Sequence, residues 1–187
     1  MKFPVHRISS KKQMAIRFFT TLGLSISPTL NAMAGDITIT NFGHSSLLIE
    51  GSGKKVLLNP FKAVGCANGL NEPRVSVDVI LASSNLADEG ARTAKGTFLV
   101  EPGSYRLHGL KIEGFASPHD RVGGQRFGNA TLWRWEQGGL SFAHLGSTAG
   151  QLNGEGQVLL GRPDVLVIGV GGGAKVYNGE EAAAIIK

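Results

Sequence analysis

From residue 35 onward the sequence alternates short apolar runs with glycine-rich turns, and this rhythm constrains the fold more than any other feature. The runs are shorter than the roughly ten or more residues an amphipathic helix needs, and they fit β-strands. Strands are expected at 37–41, 46–50, 55–59, 78–82, 97–100, 104–107, 110–115, 131–136, 140–144 and 164–170. Gly51-Ser52-Gly53 and Gln137-Gly138-Gly139 mark hairpin turns, where glycine accepts positive φ at no steric cost. Val79-Ile80-Leu81 and the run 165–170 are continuously apolar. Strands of that kind are buried on both faces, so another layer is expected to cover the sheet that holds them. Helical signals are few. One short segment is expected at 85–94, and a better one at 179–187, where Asn178 caps, Glu180 and Glu181 occupy the first turn and alanines follow. The sequence therefore reads as one strand-rich α/β domain over 35–187, without internal repeats or linkers. Its last helix stops at Lys187 without a C-cap, which leads us to expect a continuation and a domain incomplete at its C-terminus.

The N-terminus reads as an export signal over 1–34. Lys2, Arg7, Lys11, Lys12 and Arg17 form a basic stretch without an acid. An apolar run from 18 to 26 follows, Pro28 ends it, and Ala32-Met33-Ala34 places small residues at the cleavage-determining positions. A start at Met14 would keep the same apolar core. That core is short of the ~20 residues a membrane span requires. Stable membrane insertion is not expected once the signal is cleaved near Ala34, and the product should be periplasmic or secreted.

Charge must be judged with that segment removed. The precursor carries 19 basic and 14 acidic residues, for a net charge of +5. Five of the basic residues lie before residue 35, leaving 14 against 14, and no basic cluster denser than Lys54-Lys55 survives. Bulk attraction to a phosphate backbone has no support, so no nucleic-acid partner is expected. The single cysteine, Cys66, excludes an internal disulfide framework. With Lys62 its nearest basic neighbour in sequence, it reads as a loop or core residue and not as a nucleophile. Gly169-Val170-Gly171-Gly172-Gly173 lacks the Lys-Ser/Thr of a phosphate loop, and no Gly-x-Ser-x-Gly elbow is present. Trp133 and Trp135 alternate on one strand face; with Phe127 nearby they could form a ligand platform, but packing on the sheet face is the commoner arrangement.

Several segments, taken together, resemble a known family. They are Gly43-His44-Ser45-Ser46-Leu47-Leu48-Ile49-Glu50, Val56-Leu57-Leu58-Asn59-Pro60-Phe61, Asp78-Val79-Ile80-Leu81-Ala82-Ser83, Pro118-His119-Asp120, Phe142-Ala143-His144-Leu145-Gly146, and the run 164–173 followed by Lys175-Val176-Tyr177. In order and approximate spacing they are similar to the metallo-β-lactamase superfamily, and most of all to its L-ascorbate-6-phosphate lactonase-like branch. The resemblance implies an αββα sandwich with its site at the sheet edges and one or two zinc ions there.

The same resemblance tests the ligand set. The family's His-x-His-x-Asp-His motif falls on Ser84, Leu86, Asp88 and Glu89, its next histidine on His119 and its bridging aspartate on Ser147. Leucine has no donor atom and a serine hydroxyl is a poor zinc ligand. Asp88, Glu89 and His119 remain as candidate ligands for one zinc or other divalent ion. Each has a plainer role open to it: His119 as a hydrogen-bonded residue beside Asp120, and Asp88-Glu89 as a pair at a helix N-terminus. His44 and His144 match positions that support the scaffold, His108 reads as surface, and Asn59 stands where the family usually has aspartate. Asp120-Arg121 reads as a local ion pair.

With the export signal read from the N-terminus, the resemblance implies an exported metal-dependent hydrolase with a reduced, single-metal site acting on an ester or lactone bond of a small-molecule substrate. The missing histidines leave open a catalytically inactive homologue that uses the same cleft for binding or interaction.

Overall fold

A computed structural model of the chain describes residues 5–8, 35–152 and 154–187. Two mixed sheets form its centre. The first holds β1 (Val5–Ile8), β2 (Ile37–Gly43), β3 (Ser46–Gly51), β4 (Lys54–Leu58), β5 (Ser76–Leu81) and β6 (Lys95–Leu99), side by side in sequence order. The second holds β7 (Gly103–Leu107), β8 (Leu110–Pro118), β9 (Asn129–Gln137), β10 (Leu140–His144) and β11 (Val165–Val167), in the order β11-β10-β9-β8-β7. Neighbours are antiparallel except β4/β5, β5/β6 and β10/β11. The expected export signal lies outside the described residues apart from β1, which pairs with β2 at the sheet edge.

Alternation along the strands builds the layers. In β4 and β5, Val56, Leu58, Val79 and Leu81 point into the space between the sheets, while Leu57 and Ile80 point to the opposite face. Leu110, Ile112, Trp133, Trp135 and Phe142 meet them from the second sheet. Trp135 stacks on Phe142 with ring centroids 5.0 Å apart. Burying indoles requires partners for their N–H groups. Trp133 Nε1 donates to Ala82 O across the sandwich at 2.9 Å, and Trp135 Nε1 donates to Gln137 Oε1 at 3.2 Å.

The outer faces are covered unequally. Over the first sheet lies a loop with a single 3₁₀ turn, Gly65–Ala67, and Phe61 and Ala67 seal Leu57 and Ile80. Over the second lie α1 (Gly154–Leu160) and α2 (Gly179–Ile186), packing Leu160 and Ile185 against Leu132, Ala143 and Leu145. The strand-rich α/β sandwich expected from the sequence is this architecture. α2 begins at Asn178 with a reciprocal capping box to Glu181.

Three expectations are corrected. Residues 85–94 are irregular and not helical. Their backbone groups bond the neighbouring loop instead, with Lys62 N donating to Ala87 O at 2.8 Å and Ala91 N to Pro60 O at 2.8 Å. The strand expected over 164–170 is cut to Val165–Val167, because the chain then leaves the sheet to form a glycine-rich loop. Asp120 and Arg121 do not pair with each other, as described below.

Candidate functional site

Strand direction gathers the site. β8, β10 and β11 run the same way, so their C-terminal ends leave the second sheet at one edge. The end of β5 meets that edge, where Thr131 N donates to Ser83 O at 2.8 Å. Asn59, with φ of 41°, accepts from both the Ser83 amide and hydroxyl at 2.8 Å and ties in the end of β4. Close backbone contacts fix the converging loops. A Cβ on Gly90 would lie 1.7 Å from Ser84 O, and one on Gly150 would lie 2.2 Å from Pro118 O. Glycine permits both approaches.

Glu89 hangs from the Gly90 turn and is fully buried. Its Oε1 accepts from the Ser84 hydroxyl at 3.0 Å. The same oxygen lies 3.0 Å from His119 Nε2 and 3.5 Å from Lys175 Nζ. The His119 approach is close in distance but poor in angle. Neither ring nitrogen of this buried histidine completes a directed hydrogen bond, and Glu89 Oε2 and His144 Nε2 are likewise buried without one. Burial pushes the Glu89 carboxyl up, but His119, Ser147 and the Lys175 charge outweigh it and hold the group at about 2. Burial pushes the His144 imidazole down to about 4, against the opposing pull of Glu89. His144 is therefore neutral at pH 7.

Lys175 brings the cation to this cluster. Its Nζ lies 3.5 Å from Asp88 Oδ2 and 5.6 Å from the centre of the Phe127 ring. The loop that carries it is pinned on both sides. Arg121 donates from Nε to Gly173 O at 2.9 Å and from Nη2 to Val176 O at 3.1 Å, and also grips the Glu181 carboxylate. Tyr177 N donates to Thr148 O at 3.1 Å, and the Tyr177 hydroxyl donates to Gly150 O.

Asp120 has a different part. It accepts from the backbone N–H groups of Val122, Gly124, Arg126 and Phe127 at 2.8–2.9 Å. Burial opposes its ionisation, but those bonds hold it below the usual carboxylate range. The expected Asp120–Arg121 pair gives way because the carboxylate is consumed by its own loop.

Of the residues singled out in the sequence, Glu89 and His119 meet directly, and Asp88 joins them through Lys175. No set of three His, Cys, Asp or Glu side chains among the described residues is arranged to hold a metal ion. His144 is buried behind the cluster, His44 is exposed with its ring edge-on to Phe61, and His108 and Cys66 are exposed. Lys175 was overlooked as a site residue. Its signal is there: it is the sole basic residue between Asp164 and Lys187, in a glycine-rich loop after an apolar strand.

Comparison with known proteins names the architecture. The profile of the beta-lactamase superfamily domain matches residues 38–187. The chain belongs to the metallo-β-lactamase superfamily. Among solved structures it is similar to a candidate Zn-dependent hydrolase of this superfamily from Thermotoga maritima, at 26% identity and a TM-score of 0.61, covering 80% of this chain and 71% of that one. A candidate metal-dependent hydrolase from Parabacteroides distasonis aligns at 14% identity and a TM-score of 0.61, covering 81% and 77%. A metallo hydrolase from Ignicoccus hospitalis aligns at 18% and 0.55, covering 80% and 76%. The last two likenesses concern the fold alone. A search of curated proteins finds no match.

Those metal-dependent relatives raise the question of fit. As arranged, the donor set here does not fit a divalent ion. Asp88 and Glu89 flank an ammonium 3.5 Å from each, and a second cation in the same place would have to overcome the repulsion of that ammonium.

Proposed function

We propose that this chain is a metal-independent member of the superfamily, exported after cleavage near Ala34, that uses the cleft at this sheet edge for binding or interaction and not for hydrolysis. The observation that carries this reading is the Lys175 ammonium between Asp88 and Glu89. Where a hydrolytic member of a metal-dependent family needs carboxylates open to an ion, these already share an ammonium from within the chain.

A second reading is favoured by Glu89 Oε2 and the His119 ring nitrogens, which are buried without completing a hydrogen bond. It is a hydrolase of an ester or lactone bond in a small molecule, with one zinc or other divalent ion on Asp88, Glu89 and His119. It requires Lys175 to withdraw from both carboxylates.

Elemental analysis of the purified chain after incubation with Zn²⁺ or Mn²⁺ separates the two. The first expects less than about a tenth of an equivalent of bound metal. One equivalent in the wild type, lost in His119→Ala, moves the assignment to the second. Export is tested by N-terminal sequencing of the protein from the producing cell, with Gly35 expected as the first residue.

A further inference from the structure

We infer that Lys175 is a resident cation, a covalently tethered ammonium standing where the superfamily's chemistry calls for a metal ion. This deepens the metal-independent reading and rests on it.

Asp88 and Glu89 are adjacent acids, one largely buried and one fully buried. Buried carboxylates need a counter-charge or strong hydrogen bonds, because removal from water otherwise drives them neutral. Glu89 has the Ser84 hydroxyl on Oε1, but its Oε2 has no hydrogen-bond partner. Among the described residues, the basic side chain that reaches both acids is Lys175. The Phe127 ring beside its Nζ adds a favourable face for a cation.

The backbone that carries Lys175 is fixed on both sides. Hydrogen bonds hold Gly173, Val176 and Tyr177 on either side of Lys175. Upstream, a Cβ on Gly169 would lie 2.7 Å from Val176 Cγ1, so the loop folds tightly back on itself. A lysine on so constrained a strap presents its charge at high effective concentration, and a dissolved ion must displace it to enter.

Lys175→Ala tests the assignment directly. Titration calorimetry with Zn²⁺ and with Mn²⁺ should show at least a tenfold gain in affinity over the wild type, about one decade in the dissociation constant. The variant should melt below the wild type in EDTA and recover when metal is added, while Lys175→Arg should behave as the wild type does. A Lys175→Ala chain that melts like the wild type and gains no metal affinity would overturn the inference. Should Lys175→Ala fail to fold, reductive methylation of the wild type gives a second readout by mass spectrometry. Lys175 should react at least about tenfold more slowly than the exposed Lys95, and faster in Glu89→Gln. Equal rates for the two lysines would overturn the inference. Metal bound by the wild type at one equivalent removes the metal-independent reading itself. A metal-free wild type with an indifferent Lys175→Ala removes the Lys175 assignment alone.

Discussion

Glu89 and Asp120 lie at the same sheet edge, one touching His119 and the other following it in sequence, and their surroundings satisfy them in opposite ways. Asp120 takes four backbone N–H bonds from its own loop, all from residues within seven positions. Glu89 takes a hydroxyl from Ser84 and a cation from Lys175, and one of its oxygens is left without a hydrogen-bond partner. A carboxylate wrapped by local amides builds a loop and has no capacity left. A carboxylate held by distant side chains depends on those side chains, and its site changes character when they change. The difference separates an acid that holds a loop together from one whose state depends on side chains far away in sequence, and four substitutions or titrations can probe it.

The largest effect is expected from Gly90→Ala. Its new Cβ would be driven to 1.7 Å from Ser84 O, and overpacking of this severity costs about 3 kcal/mol. Urea unfolding should show this loss, with the turn that aims Glu89 disrupted and the Asp120 loop intact.

Acid comes next. His144 is depressed from 6.5 to about 4 and Glu89 from 4.5 to about 2. In both ranges the unfolded chain binds more protons than the folded one, so stability rises with pH. The His144 contribution is complete above pH 6.5 and is lost as pH falls towards 4; that of Glu89 is complete above 4.5 and is lost towards 2. Each shift corresponds to about 3 kcal/mol at most. Urea midpoints measured from neutral pH downward should fall in two stages. His144→Gln should flatten the upper stage and Glu89→Gln the lower. A wild type insensitive to pH through both ranges contradicts the assignment of these buried groups.

Asp120→Asn should act more locally. The amide turns donors towards backbone N–H groups that need an acceptor, so exchange at Val122, Gly124, Arg126 and Phe127 should quicken while metal affinity stays that of the wild type. Unchanged exchange at those amides removes the structural role given to Asp120. The smallest change in stability is expected for Arg121→Ala, because its pair with Glu181 is partly exposed. Its signature is instead faster amide exchange at Tyr177 and easier methylation of Lys175, since the strap loses its outer pin.

The layers of the sandwich were legible because they follow from alternation within single strands. Val56 and Leu58 face one way and Leu57 the other whatever the partners are. The cap at Asn178 was equally local. The missed helix α1 has no strong signal, being short and led by glycines that oppose helix formation. At 85–94 a helical pattern lost to the loop at 60–62, whose carbonyl and amide groups took its backbone bonds. The site was half legible for the same reason. Asp88, Glu89 and His119 stand in recognisable segments. The residues that decide their chemistry act across long separations: 87 positions from Lys175 to Asp88 and 60 from Arg121 to Glu181. Such pairings exist after folding and leave no spacing to read beforehand.

Anomalous diffraction at the zinc edge, from crystals grown with Zn²⁺, tests the resident-cation assignment most directly. The expected map has no zinc peak among Asp88, Glu89 and His119, and shows Lys175 Nζ 3.5 Å from both carboxylates. A zinc peak at roughly 2.0–2.2 Å from Glu89 and His119, with Lys175 swung away, would contradict it.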